Sequence, residues 1–155
     1  IKNTIIIDSS YNANLDSITA ILEMFQNIKA EKKWIIIGDM LEQGESQRQE
    51  HEKLAEVISK IKSDRIILMG PRVSEFTYPK LKTLIDGKII IEKFINPREV
   101  LDYLELNLKD NELLLFKGAR FLEGIVEHLL LDKKDIEKLP RREKIWQKRR
   151  RKWGL

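Results

Sequence analysis

The residues best equipped for chemistry fall in three short polar segments, each directly after an apolar run. Asp8-Ser9-Ser10-Tyr11-Asn12-Ala13-Asn14 gathers a carboxylate, two hydroxyls, a phenol and two amides. These groups suit the hydroxyls of a ribose or the edge of a base. They also suit a plain turn, in which Asp8 and Ser9 bond the backbone and Asn14 caps a helix. Gly38-Asp39-Met40-Leu41-Glu42-Gln43-Gly44-Glu45 combines two glycines with three carboxylates. It could hold a metal or an amine, or form only an acidic surface loop. Lys117-Gly118-Ala119-Arg120 puts a lysine at a strand end and an arginine at a helix start, with a glycine that allows close backbone approach. That is a fit for a carboxylate or phosphate, because Arg grips such groups with two parallel hydrogen bonds while Lys acts as a point charge. A solvated basic turn is the alternative.

Other chemistry is excluded by what is missing. There is no cysteine, so neither a disulfide nor thiolate chemistry is available. His51 and His128 are far apart in sequence, which argues against a dedicated zinc site, and no metal ligand is assigned. His51 shares a helical stripe with Leu54, Ile58 and Ile61, which predicts a partly buried imidazole that orients the acidic loop rather than a catalytic base. His128 falls on the polar side of its helix. No GxxxxGK[ST] loop is present to hold the phosphates of a nucleoside triphosphate, and no GxGxxG turn supports a dehydrogenase. No catalytic residue is assigned to this chain alone.

The elements that must position these segments alternate regularly. Strands are expected at Thr4 to Asp8, Trp34 to Gly38, Arg65 to Gly70, Lys88 to Glu92 and Glu112 to Phe116. Each is a short apolar run of the kind buried on both faces of a parallel sheet. Between them, Asn14 caps a helix faced by Ile18, Ile21, Leu22, Phe25 and Ile28. Ser46-Gln47-Arg48-Gln49 has the form of a capping box, and Asn96-Pro97-Arg98-Glu99 supplies a cap, a first-turn proline and a glutamate. A short helix is expected between Pro79 and Ile85, and a last packed helix uses Phe121, Leu122, Ile125, Val126, Leu129 and Leu130. The pattern predicts an α/β fold: a Rossmann-like, doubly wound, mostly parallel sheet of five to six strands flanked by helices. In such sheets ligands sit beyond the carboxyl ends of the strands, where all three polar segments fall.

The chain has 155 residues, 42% hydrophobic and 35% charged, enough for one domain with a proper core. No apolar run approaches the roughly 20 residues that a membrane-spanning helix needs. The first residue is Ile, almost on a strand, which predicts further residues upstream. Charge is unevenly spread. Residues 133–155 hold 11 Lys/Arg against 3 Asp/Glu, so this basic extension carries about +8 while residues 1–132 carry about −4. The expected organisation is therefore a domain over 1–132 and a helical or flexible extension over 133–155. Trp146 and Trp153 among its cations admit weak contact with an anionic membrane or a partner, or packing on the acidic body; nucleic acid is the less favoured partner.

Taken together, the three segments resemble the third, C-terminal domain of the Mur ligase family. The resemblance rests on Ser10-Tyr11-Asn12-Ala13-Asn14, on Gly38-Asp39-Met40-Leu41-Glu42 with Gly44 and His51, and on Lys117-Gly118-Ala119-Arg120, in the family's order. It runs from about Ile5 to Leu131 and is strongest to the branch that joins D-alanyl-D-alanine to UDP-N-acetylmuramoyl-tripeptide. It implies a cytoplasmic enzyme of peptidoglycan precursor synthesis in which ATP and Mg2+ are held mainly by an upstream domain. ATP would phosphorylate the terminal carboxylate of the peptide, and the amine of the dipeptide would displace the phosphate. Asp8, Ser9, Tyr11, Asn12 and Asn14 would then meet the nucleotide, and Asp39, Glu42, Lys117, Gly118 and Arg120 the substrate. The chain departs from the family in having Ser9 where a second acidic residue is usual, Leu15 for proline and Ala119 for serine. Two other readings stay open: a non-catalytic binding module recruited through its basic extension, and a ligase relative with a different amine substrate.

Overall fold

The computed structural model describes residues 3–155. Five strands, β1 (Ile5–Ser9), β2 (Lys32–Gly38), β3 (Arg65–Met69), β4 (Ile90–Phe94) and β5 (Glu112–Lys117), form one sheet in the order β1-β5-β2-β3-β4. Every neighbouring pair is parallel. Six α-helices connect or follow them: α1 (Leu15–Asn27), α2 (Gln47–Ser59), α3 (Tyr78–Leu84), α4 (Pro97–Asn107), α5 (Leu122–Leu129) and α6 (Lys144–Arg151).

Alternate residues of the central strands feed two separate cores. Ile35, Ile37, Ile66, Leu68, Leu113 and Leu115 point to a face covered by α1, α2 and α3, through Ile18, Leu22, Phe25, Leu54, Ile58 and Leu81. Trp34, Ile36, Ile67, Met69, Leu114 and Phe116 point to the opposite face, covered by α4 and α5 through Val100, Leu104, Leu122 and Ile125. Burial on both faces is what makes these strands continuously apolar. The chain after β1, β2 and β3 turns to the first face, and the chain after β5 turns to the second. Since β5 lies between β1 and β2, crevices open on both of its sides at the carboxyl ends.

Several local expectations shift, among them the start of β2, which is at Lys32 rather than Trp34 and pairs there with Glu112. The fourth strand begins at Ile90 rather than Lys88, because pairing with β3 sets Arg65 opposite Ile90 and Met69 opposite Phe94. The helix after β3 is preceded by a π-helical turn over Val73–Thr77. The capping box at Ser46 does not form: Gly44–Ser46 is a 3-10 turn, and the Ser46 hydroxyl donates to the Gln43 carbonyl at 2.8 Å. The box appears instead at Asn14, whose Oδ1 accepts from Ser17 N–H at 2.8 Å while Ser17 Oγ accepts from Asn14 N–H at 3.1 Å. At the N-terminus of α4, Asn96 Oδ1 accepts from Arg98 N–H as expected. The basic extension packs on the body, with a 3-10 segment over Lys133–Lys138 followed by α6.

Candidate functional site

The first crevice lies between β1 and β5. Beyond the end of β1 the chain has no sheet partner, and its own side chains hold the turn. Asp8 Oδ1 accepts the Ser10 N–H at 3.0 Å and Asn12 Oδ1 accepts the Ala13 N–H at 2.7 Å. Register sets Ser9 opposite Lys117, and Lys117 Nζ donates to the Asn12 carbonyl at 2.6 Å. Lys117 is buried, which lowers its pKa, and among the described residues no carboxylate pairs with it. Asp8, Ser9, Ser10, Tyr11, Asn12 and Lys117 line an open crevice of about 470 Å³, with Lys138 and Pro140 along its rim. Tyr11 is 68% exposed, although the Arg141 guanidinium lies 5.4 Å from its ring centroid. The Ser10 hydroxyl is buried without a hydrogen-bond partner.

The second crevice lies between β5 and β2, and its centre is Asp39. This carboxylate is fully buried. Its Oδ1 accepts the N–H groups of Arg72 and Val73, each at 3.0 Å, at the start of the helical turn after β3. Its Oδ2 takes the Nε–H of Arg120 at 3.0 Å, and its backbone carbonyl accepts the Ala119 N–H at 3.1 Å. One residue thus ties the ends of β2, β3 and β5 together, and a buried carboxylate with this many donors is the arrangement burial demands. Arg120 uses Nε on Asp39, and its side chain remains 38% exposed. Its terminal Nη groups have no hydrogen-bond partner among the described residues, so they form an oriented fork for a carboxylate. Beside it a slot of about 120 Å³ is lined by Pro71, Ile95, Pro97, Phe121 and Trp153. That volume is somewhat below the cavity that admits benzene, so it suits a small alkyl group.

His51 is fully buried beneath the acidic loop. Its Nε2 accepts the Met40 N–H at 3.3 Å while Nδ1 faces the Gln47 carbonyl at 2.8 Å, a pattern that requires the neutral Nδ1–H tautomer. Burial lowers its pKa, against the opposing pull of the Gln47 carbonyl. It holds the loop through the Met40 N–H, from a fully buried position rather than the partly buried one the helical stripe predicted.

The structure therefore gathers Asp8, Ser9, Tyr11 and Asn12 with Lys117, and Asp39 with Arg120, but it does not bring Lys117 and Arg120 into one pocket. Gly118 lies between the crevices, its backbone against Gly38. Glu42 is exposed, with a left-handed backbone, and lines neither crevice. The Asn14 oxygen is taken by its helix cap. Sequence reasoning missed four residues of the extension that border the crevices: Lys138, Pro140, Arg141 and Trp153. Their signal was the mixture of cations and tryptophans, which the sequence offered as a partner surface.

The family model described as "Mur ligase, glutamate ligase domain" matches residues 1–120. The chain belongs to the Mur ligase family. Among its relatives, the UDP-N-acetylmuramoyl-tripeptide–D-alanyl-D-alanine ligase of Rickettsia prowazekii (strain Madrid E) is 32% identical over 130 residues, covering 83% of this chain and 28% of that protein. The enzyme of the same name from Bacillus subtilis (strain 168) is 31% identical over 135 residues, covering 81% and 28%. Solved Mur ligases share the fold. The MurF ligase of Thermotoga maritima in complex with ADP superposes with a TM-score of 0.61 at 26% identity, over 88% of this chain and 30% of that one. A crystal structure of MurF from Acinetobacter baumannii gives 0.66 at 26% identity, over 83% and 29%. The chain thus spans less than a third of the length of these Mur ligases.

Proposed function

We propose that this Mur ligase domain is the closing domain of an ATP-dependent ligase that joins D-alanyl-D-alanine to UDP-N-acetylmuramoyl-tripeptide in peptidoglycan precursor synthesis. The observation that carries the reading is the pair of crevices flanking β5, one with an exposed aromatic turn and a lysine, the other with an oriented arginine beside a small apolar slot. The names of the curated relatives and the ADP complex of a structural neighbour support it. The first crevice fits the ribose and base side of a nucleotide. Tyr11 offers a ring face, and Asp8 Oδ2, which has no partner among the described residues, offers an acceptor for a sugar hydroxyl. Ser9 and Asn12 add polar groups, Asn14 positions the turn as its cap, and Lys117 belongs to this side.

In this reading ATP and Mg2+ are held mainly by an upstream domain that carries the phosphate loop, and this domain alone is inactive. The enzyme works in the cytoplasm. Among the described residues no helix is long and apolar enough to cross a membrane. The exposed cations of the extension, among them Lys134, Lys144, Lys148, Arg149, Arg151 and Lys152, are available for weak contact with an anionic membrane surface.

Chemically, phosphoryl transfer from ATP activates the peptide carboxylate, the dipeptide amine attacks the carbonyl carbon, and phosphate leaves as the amide forms. Arg120 holds the carboxylate of the dipeptide, a methyl enters the slot, and the amine is directed at the activated carbonyl. A charge-assisted hydrogen bond of about 1.5–3 kcal/mol corresponds to roughly a 10- to 150-fold change in affinity. In the full-length ligase, Arg120→Ala is expected to raise KM for D-alanyl-D-alanine by at least about tenfold while moving KM for ATP less than about threefold. Tyr11→Ala should do the reverse. Equal effects on both substrates from either variant would contradict the assignment of the two crevices.

A further inference from the structure

We propose that Arg141, which lies beyond the family match, is a positioning residue that fixes the nucleotide-facing turn; the inference rests on the reading of that turn given above. Ser10, Tyr11 and Asn12 lie past the end of β1, and each has its carbonyl held by a cation. Arg141 Nη1 donates to the Ser10 carbonyl at 3.3 Å and Nη2 to the Tyr11 carbonyl at 2.6 Å, while Lys117 takes the Asn12 carbonyl. Two side chains, one from β5 and one from the C-terminal segment, thus set three successive peptide planes. The planar guanidinium spans the first two with donors from its two separate Nη groups.

The same guanidinium also stacks. Arg141 Cζ lies 5.4 Å from the Tyr11 ring centroid and 5.1 Å from that of Trp146, and Arg149 Cζ lies 4.8 Å from Trp146 on its own side. Aromatic and cationic groups alternate from α6 to the turn, and the series ends on Tyr11, which remains largely exposed. A nucleobase stacked on Tyr11 would extend it.

Arg141 is itself held from below. Its Nη1 meets the fully buried Glu123 of α5 at 3.3 Å, and its own carbonyl accepts from Arg150 Nη1 at 2.9 Å. Arg150, 3% exposed, also faces Glu123 and Glu127, and Arg142 pairs with Glu127. Gly124 allows this approach: a Cβ there would sit 2.6 Å from Arg150 Cδ. The backbone of Arg141 has a φ of 57°, a region that non-glycine residues occupy at a cost and keep only where surrounding contacts impose it.

Arg142 provides the control, since its carboxylate partner is on the same helix yet it does not touch the turn. In the full-length ligase, Arg141→Ala should raise KM for ATP about five- to tenfold and leave KM for the amine unchanged, whereas Arg142→Ala should leave both within about twofold. Arg141→Lys, which keeps the charge and loses the fork, should recover thermal stability but not KM for ATP; it also serves if the alanine variant fails to fold. Equal rises in KM for ATP from the Arg141 and Arg142 variants would mean general packing and overturn the proposal. If Tyr11→Ala weakens ATP and Arg141→Ala and Arg141→Lys do not, positioning by Arg141 is refuted while the nucleotide reading stands. If Tyr11→Ala leaves KM for ATP unchanged, both fall together.

Discussion

Asp39 and His51 show how fully buried single residues hold this site together. The Asp39 carboxylate links backbone and side-chain donors from two other loops, and His51 holds the peptide that follows it through the Met40 N–H. That hydrogen bond exists only while Nε2 is unprotonated. Burial lowers the folded-state pKa of His51 below its ordinary value of 6.5, so at neutral pH and above both folded and unfolded states are neutral there and stability is unaffected. Below pH 6.5 the unfolded chain takes up a proton that the folded chain resists, and stability falls as the pH drops toward the folded-state pKa. Urea unfolding between pH 7.5 and 5 should therefore show a decline that His51→Gln makes shallower. An unchanged slope would remove His51 from this role. The position of His51 on an apolar stripe made its burial legible in the sequence; its partner was not, because the Met40 N–H comes from another element.

Among the elements, the closest approach is between the ends of β2 and β5. A Cβ on Gly38 would lie 2.1 Å from the Ala119 carbonyl oxygen, and one on Gly118 would lie 2.5 Å from the Gly38 nitrogen. Both obstacles are backbone, so no rotamer change relieves them. Gly38→Ala should cost about 3 kcal/mol, the upper part of the range for overpacking, and should displace Asp39 from Arg120. Thermal unfolding within about 3 °C of wild type would show that the two loops separate freely. Five strands were legible because burial on both faces leaves continuous apolar runs. The fourth shifted by two residues because Lys88 and Ile89 share the composition of the strand while pairing with β3 starts at Ile90. The apparent capping box at Ser46 failed for a similar reason: residue types were right, but the preceding 3-10 turn directs the hydroxyl backward. Lys117 and Arg120 are three positions apart, yet Gly118, at a φ of 129°, and Arg120 and Phe121, both left-handed, turn the chain so that they serve different crevices.

At the scale of the whole molecule, the charge asymmetry is the main organising feature. An acidic body receives a basic extension, and the contact concentrates on Glu123 and Glu127, with Leu139 and Leu155 packed against the α4–α5 core. Breaking a buried ion pair by removing one partner is costly because the other charge stays buried. Arg150→Ala should lower the stability of the chain by about 3 kcal/mol, the low end of that range because Arg141 still faces Glu123. A loss below about 0.5 kcal/mol would mean that Glu123 is rehydrated when its partner goes. The excess of cations was plain in the sequence, but its destination was not, since Glu123 looks like an ordinary exposed helix residue until Gly124 lets α6 approach. Ligase activity is proposed for the enzyme to which this domain would belong. Its most direct test is phosphate release by the full-length protein with ATP, UDP-N-acetylmuramoyl-tripeptide and D-alanyl-D-alanine, omitting each in turn. Release that requires all three is the expected result; release independent of the dipeptide, or none from a folded protein, would contradict the account.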